Sequence, residues 1–248
     1  MLTEKIKNQI IEHAKTSNTE VCGVIKFLND DFYIERKENL VNSATEFLMN
    51  FDSKNNIVAY YHSHIKFDQL SEADKIVSER IGLPCVVYNK QTNSFHQYNP
   101  QGAKIKYTGR PFVLGFADCL LLVKDYYFYD LNIKLKSEAE ILKKLVSEQE
   151  YIELSQKRFI DEGETLRNKD DYLKKYFENN GFRQVEKFKK NDVLITRTKQ
   201  FDFPIHCLIY LGNNNVLHHP GDGISKVESL SNEMKKWVIY VMRHYLYD

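Results

Sequence analysis

Two clusters of side chains in this sequence could do chemistry. His62-Ser63-His64 ends an apolar run over 57–64 that reads as a strand, so period-two alternation points both imidazoles to the same side. Ser71 and Asp74 are three apart on the first turn of a probable helix and share a face. Two imidazoles and one carboxylate leave a fourth position for water, which is the ligand set of catalytic zinc. Such a metal lowers the pKa of its water to about 7. Glu20, at the start of the first strand, is the candidate proton shuttle. Taken singly, the HxH pair also reads as polar strand surface, and Ser-x-x-Asp as an N-capping pair. Only their combination with an acid on an earlier strand is specific.

The second cluster centres on Cys119, which follows Asp118 at the start of an apolar helix. A thiol there feels the positive end of the helix dipole and the unpaired N–H groups, so its thiolate is favoured. The base must come from elsewhere in the chain. His206 begins the strand HCLIYLG, and His218 ends the next, NVLHH. If Asn213-Asn214-Asn215 turns the chain, the two strands pair as a hairpin. His206 can then reach the thiol with His218 behind it as orienter. His219 replaces His218 if the register slips by one. The competing reading of Cys119 is a small buried apolar residue. Cys22, Cys85 and Cys207 read as buried, slow thiols.

The elements that must position these groups follow from periodicity and turn signals. Residues 3–17 read as a helix, 20–28 and 31–38 as strands across Asn29-Asp30, and 85–89 and 94–98 as a hairpin. Ser71 caps a helix running to about Ile81. Asn99-Pro100-Gln101-Gly102 is the candidate boundary, giving domains over 1–100 and 101–248. Beyond it, a helix is expected from Cys119 to Tyr129, a helical insertion over about 135–180, and strands at 192–197, 206–211, 215–219 and 237–243. The fold class is α+β, and the insertion is placed to cover or shape a cleft.

With 248 residues, 42% of them hydrophobic and 28% charged, the chain can build a core in one or two domains. A formal net charge of +1 points to neither nucleic acid nor a membrane surface as partner. No apolar run reaches the ~20 residues that cross a bilayer. The N-terminus lacks a signal-peptide pattern, so synthesis in a cytoplasm is expected. The four cysteines form no CxxC pair, which argues against a disulfide framework.

Two resemblances extend this reading. Glu20-Val21-Cys22-Gly23-Val24, His62-Ser63-His64 and Ser71-Glu72-Ala73-Asp74 resemble the JAMM motif of the MPN (JAB) metalloproteases. Ile65 stands where that family has proline, and six residues rather than seven lead to Ser71. The resemblance implies an MPN-like α/β module with a mixed sheet and one zinc ion on His62, His64 and Asp74. Glu20 would then be general base and acid, and Ser71 would help to stabilise an oxyanion. Gly109-Arg110-Pro111-Phe112, Asp118-Cys119, Asp125-Tyr126-Tyr127, Asn191-Asp192-Val193-Leu194 and His206 to Gly212 with Val216-Leu217-His218 resemble NlpC/P60 cysteine peptidases. That implies a papain-like α+β module with Cys119 as nucleophile, His206 as base, His218 as third residue and peptidoglycan peptide stems as substrate. Phe112 stands where many members have a tyrosine near the nucleophile.

An MPN module followed by an NlpC/P60 module resembles the tail tip assembly proteins of lambda-like siphophages. This implies other phage tail tip proteins as partners, and a path from host cytoplasm to the virion's tail tip. A tail assembly factor with vestigial peptidase sites is the alternative.

Overall fold

The computed structural model describes residues 1–40, 47, 49, 56–66, 68–113, 115–137, 172–197, 204–221 and 223–247. The chain is α+β and divides into two units, Met1–Ile105 and Lys106–Asp248.

The first unit opens with helix α1 (Glu4–Ala14), whose N-cap Thr3 accepts a hydrogen bond from the Ile6 N–H. Strands β1 (Cys22–Leu28) and β2 (Asp31–Lys37) follow, joined by Asn29 and Asp30. Both turn residues have positive φ, 50° and 60°, the two-residue turn whose twist suits a hairpin. Then come β3 (Ile57–His64), helix α2 (Glu72–Ile81), β4 (Cys85–Asn89) and β5 (Ser94–Tyr98). The sheet order is β2-β1-β3-β4-β5, with β3 and β4 parallel and the other pairs antiparallel. A parallel pair needs a crossover, and α2 supplies it.

Alternation along β3 assigns its residues to two cores. Ala59 and Tyr61 pack with Ile6, Ile10 and Ala14 of α1, while Tyr60 packs with Cys22, Cys85 and Val87 beside Val77 and Ile81 of α2. His62 and His64 share the face of Tyr60, so the sheet aims them towards α2. Gly23 is required where Tyr61 crosses β1, because a Cβ there would lie 2.5 Å from the Glu35 carbonyl oxygen and 2.6 Å from the Tyr61 hydroxyl.

In the second unit, helix α3 (Cys119–Leu131) is nearly all apolar and ends at Asn132 in the left-handed region, φ 55°. Helix α4 (Tyr172–Glu178) precedes β6 (Phe182–Gln184), β7 (Val193–Thr196), β8 (His206–Gly212), β9 (Asn215–His218) and β10 (Lys226–Ser229). Helix α5 (Asn232–Trp237) and β11 (Val238–His244) complete an antiparallel sheet of order β10-β9-β8-β7-β11-β6. One face carries α3 and α4 over Val193, Ile195, Cys207, Ile209, Leu217 and Met242.

Some expectations change. Residues 135–137 are not helical: Leu135 is buried, the Lys136 N–H donates to Asn180 Oδ1 at 2.7 Å, and its carbonyl accepts from the Tyr176 hydroxyl at 2.7 Å. Side chains from α4 and just beyond it therefore hold this stretch where intrahelical bonds would be needed. The rest of the expected insertion, 138–171, lies outside the described residues; of its C-terminal end only α4 is helical. The short elements β6, β10 and α5 carried no clear periodicity.

The GRPF and NDVL strings turn out to anchor the second unit. Arg110, 2% exposed, pairs with Asp125 of α3 at 2.6 Å and also bonds the Lys106 carbonyl. Its N–H donates to Ser225 Oγ at 2.9 Å. Asp192 takes a two-pronged contact from Arg243 of β11, Nε to Oδ1 at 2.9 Å and Nη2 to Oδ2 at 2.7 Å.

Candidate functional sites

In the first unit, His62, His64 and Asp74 converge with their donor atoms within 4.8 Å of one another, all three buried. The two Nε2 atoms are 3.0 Å apart, His62 Nε2 is 3.1 Å from Asp74 Oδ1, and His64 Nε2 is 3.4 Å from Asp74 Oδ2. A tetrahedral ion with N and O ligands at about 2.0–2.2 Å sets neighbouring donors roughly 3.3–3.6 Å apart. One observed spacing lies within that range and the other two fall about 0.2–0.3 Å short of it, so a zinc-sized ion fits the donor set with a small outward adjustment. Without a cation, two imidazole nitrogens and a carboxylate would face one another in a buried site, an arrangement hydrogen bonds alone satisfy poorly.

Two of these three side chains, His62 and Asp74, are held from behind. Phe47 stacks on the His62 ring at 4.2 Å, and Cys85 Sγ lies 4.0 Å from His62 Nδ1. The N–H and O–H of Ser71 both donate to Asp74 Oδ2, at 2.7 and 2.8 Å, while the Asp74 N–H donates to Ser71 Oγ at 3.1 Å. Ser71 is thus the N-cap of α2 and the group that aims Asp74; its hydroxyl is committed to that carboxylate. Burial pushes the Asp74 carboxyl up, but the His62 charge and the bonds from His62, His64 and Ser71 outweigh it and hold it well below its usual range. Burial holds the His62 imidazole down against the pull of Asp74. Glu20, 3% exposed, precedes β1 and stands outside the group of three. The Ser63 N–H donates to the Val21 carbonyl at 2.9 Å, so the pairing of Cys22 with His62 continues past the strand end and carries Glu20 to the level of His64.

In the second unit, Asp118 caps α3, accepting from the Leu121 N–H and the Gly115 N–H at 2.9 Å each. This leaves Cys119 as the first helical residue, 4% exposed. The start of β8 meets it there. Hydrogen bonding from Cys207 favours the Cys119 thiolate most, burial opposes it, and the bond and charge of His206 add to the first effect. The negative charge of Asp118 works against it, yet the net result lies well below the ordinary thiol range.

His206 Nε2 lies 3.2 Å from His218 Nδ1, and His218 Nε2 lies 2.6 Å from Glu228 Oε1 on β10. Burial and the His206 charge push His218 down to about 4 despite Glu228, so it is a neutral imidazole near pH 7. Glu228 stays ionised: burial raises it, but Lys226 and His218 bring it down.

The choice of His218 over His219 rests on one residue. Asn213 and Asn214, φ 50° and 60°, form a two-residue turn that pairs Gly212 with Asn215. The register then shifts across Leu211, so Tyr210 opposes Val216 and Leu208 opposes His218. A regular ladder would set Ile209 against His218, on the other face from His206. His219 is fully buried with its ring 5.4 Å from that of Phe112.

A family model, NlpC/P60 family, matches residues 109–243, more than half of the chain and all of the Cys119 site. The chain belongs to the NlpC/P60 family. Among solved structures, an NlpC/P60 family protein from Bacillus cereus ATCC 10987 is 15% identical, with a TM-score of 0.31. That alignment covers 94% of this chain and 66% of the other, so the chain spans about two thirds of that protein's length. No curated protein matches. NlpC/P60 proteins are typically cysteine peptidases. The residues that sequence reasoning missed in this NlpC/P60 site are Cys207 and Glu228. Cys207 had a signal, its place next to His206 at a strand start; Glu228, on a short edge strand, had none.

Proposed function

We propose that the second unit is a cysteine endopeptidase acting on peptidoglycan peptide stems. The supporting observation is the line Cys119–His206–His218, with the thiol at a helix N-terminus and its thiolate favoured. The Cys119 thiolate attacks the amide carbonyl, and the resulting oxyanion meets backbone N–H groups at the start of α3, including that of Cys119. His206 gives its proton to the leaving amine as the C–N bond breaks and a thioester forms. It then takes a proton from the water that hydrolyses the thioester, which restores the thiol. Digestion of purified peptidoglycan by the wild type and by Cys119→Ala, with products identified by mass, tests this. New peptide termini should appear only with the wild type; equal products from both, or none from the wild type, would remove the reading.

A second reading concerns the first unit, a zinc-dependent peptidase-like module of MPN type. The donor spacing of His62, His64 and Asp74 supports it. Zinc there would supply a Lewis acid and an acidified water. Ser71 orients Asp74, and Glu20 would move the proton. The pairing of the two sites in one chain supports a place at a phage tail tip, with other tail tip proteins as partners and a passage from host cytoplasm to virion. Among the described residues no helix is long and apolar enough to cross a membrane.

A further inference from the structure

The relay behind the proposed nucleophile does not stop at His218. We propose that Glu228 is a positioning residue that sets the tautomers of both His218 and His206, leaving His206 Nδ1 as the basic nitrogen towards Cys119. The inference rests on reading Cys119 as the nucleophile.

Each nitrogen along the line carries a hydrogen or a lone pair fixed by its neighbour. A carboxylate only accepts, so at 2.6 Å from Glu228 Oε1 the His218 Nε2 must carry a hydrogen. A neutral imidazole has one N–H, so His218 Nδ1 is then a lone pair. At 3.2 Å it can only accept, which obliges His206 Nε2 to be the N–H of that ring. The remaining nitrogen of His206, Nδ1, is the one left to bond Cys119. It is a lone pair when the thiol is neutral and an N–H when the thiolate–imidazolium pair forms, and the outer three positions need not change. With the opposite arrangement, His218 Nδ1–H would donate to His206 Nε2. A neutral His206 would then present an N–H to the thiol and could not take its proton.

The competing role for Glu228 is a surface ion pair. It also meets Lys226, but through its other oxygen, Oε2, at 3.0 Å. The side chain of Glu228 is 35% exposed and that of Lys226 47%, whereas His218 is 8% exposed. The two contacts are therefore separable by mutation. Among the described residues, the charged and titratable groups facing this end of the relay are His206, His218 and Lys226.

The test uses the full chain as wild type, Glu228→Gln and Lys226→Ala, with three readouts: imidazole 15N shifts, alkylation of Cys119 at mildly acidic pH, and kcat and KM on peptidoglycan. Wild type should show His218 protonated at Nε2. Glu228→Gln can donate as well as accept, so it should give mixed tautomers and slower alkylation. Its kcat should fall by about 10- to 100-fold, the usual range for losing an orienting partner, with KM unchanged. Lys226→Ala should match wild type in all three. The proposal is overturned if Glu228→Gln keeps the Nε2 tautomer and wild-type alkylation, or if Lys226→Ala reproduces its losses. The first two readouts need no substrate. A wild type that alkylates fast with the stated tautomer but leaves peptidoglycan uncut would therefore refute the substrate assignment and support the relay.

Discussion

Replacing Cys207 by alanine should change the reactivity of Cys119 in a way that simple damage to the core would not. Cys207 provides the largest contribution favouring the Cys119 thiolate, ahead of the bond and charge of His206. Its removal must therefore raise the Cys119 pKa. A hydrogen bond to a charged group contributes about 1.5 kcal/mol or more, so at pH below both midpoints the thiolate fraction should fall about tenfold. The more basic thiolate is intrinsically more nucleophilic, with a Brønsted slope of about 0.4–0.5. These effects combine to alkylation about threefold slower on the acid limb and about threefold faster on the alkaline plateau. The two pH–rate profiles should cross.

Cys207 is 1% exposed, and losing one buried sulfur costs about 1–2 kcal/mol of stability, which leaves room for a folded variant. Cys207→Ser keeps a donor and should lie close to wild type. Pulsed iodoacetamide followed by peptide mass analysis reads each cysteine separately. Cys22, pushed up to about 12 by burial first and by Glu20 second, and Cys85, raised mainly by burial, serve as slow internal references. Superimposable profiles for wild type and Cys207→Ala would refute the reasoning. So would a uniform slowing at all pH values, which would signal altered access instead of altered basicity.

Protein prepared without added metal should hold about one zinc per chain by elemental analysis, and His64→Ala should hold far less; stoichiometry near zero that added zinc fails to restore would remove the metal site. At zinc one hundred times above its Kd, the first unit should gain about 2.7 kcal/mol against urea, and the gain should vanish in His64→Ala. Arg110→Ala removes the guanidinium that pairs with the buried Asp125 carboxylate and should destabilise the second unit by about 3–5 kcal/mol. Urea unfolding checks this, and a loss below about 1 kcal/mol would show that Arg110 does not anchor α3.

Much of both sites was written locally. The HxH spacing, the Ser71-to-Asp74 cap and the Asp118 cap ahead of an apolar helix are short-range patterns, and strand alternation or first-turn geometry converts each into direction. What sequence could not give is what pairs across strands. Glu228 reaches His218 because β10 pairs with β9, and nothing in Lys226–Ser229 announces either the strand or the partner. Cys207 looked like one more buried thiol because the approach of α3 to the start of β8 is tertiary. The failed helix at 135–137 is similar: Tyr176 and Asn180, 40 and 44 residues from Lys136 in sequence, hold a segment whose composition suits a helix.

The extra residue Leu211 offers the sharpest test of how the site is assembled. In the observed register Leu211 is unopposed, and Tyr210 already faces Val216. Deleting Leu211 should therefore leave a regular ladder with Leu208 still opposite His218 and His206 still on the same face. The cost is the packing of one partly buried leucine, about 1–2 kcal/mol. If the ladder instead ran regularly through Leu211, the same deletion would shift every earlier residue of β8 by one and turn His206 to the opposite face. The two registers thus give opposite outcomes from one variant. Fast Cys119 alkylation at mildly acidic pH should persist in the deletion variant, still slowed by His206→Ala. Loss of that fast phase in a variant that circular dichroism and thermal unfolding show to be folded would mean that the bulge does not select His218. The alternative of His219 facing the base would then have to be taken up again.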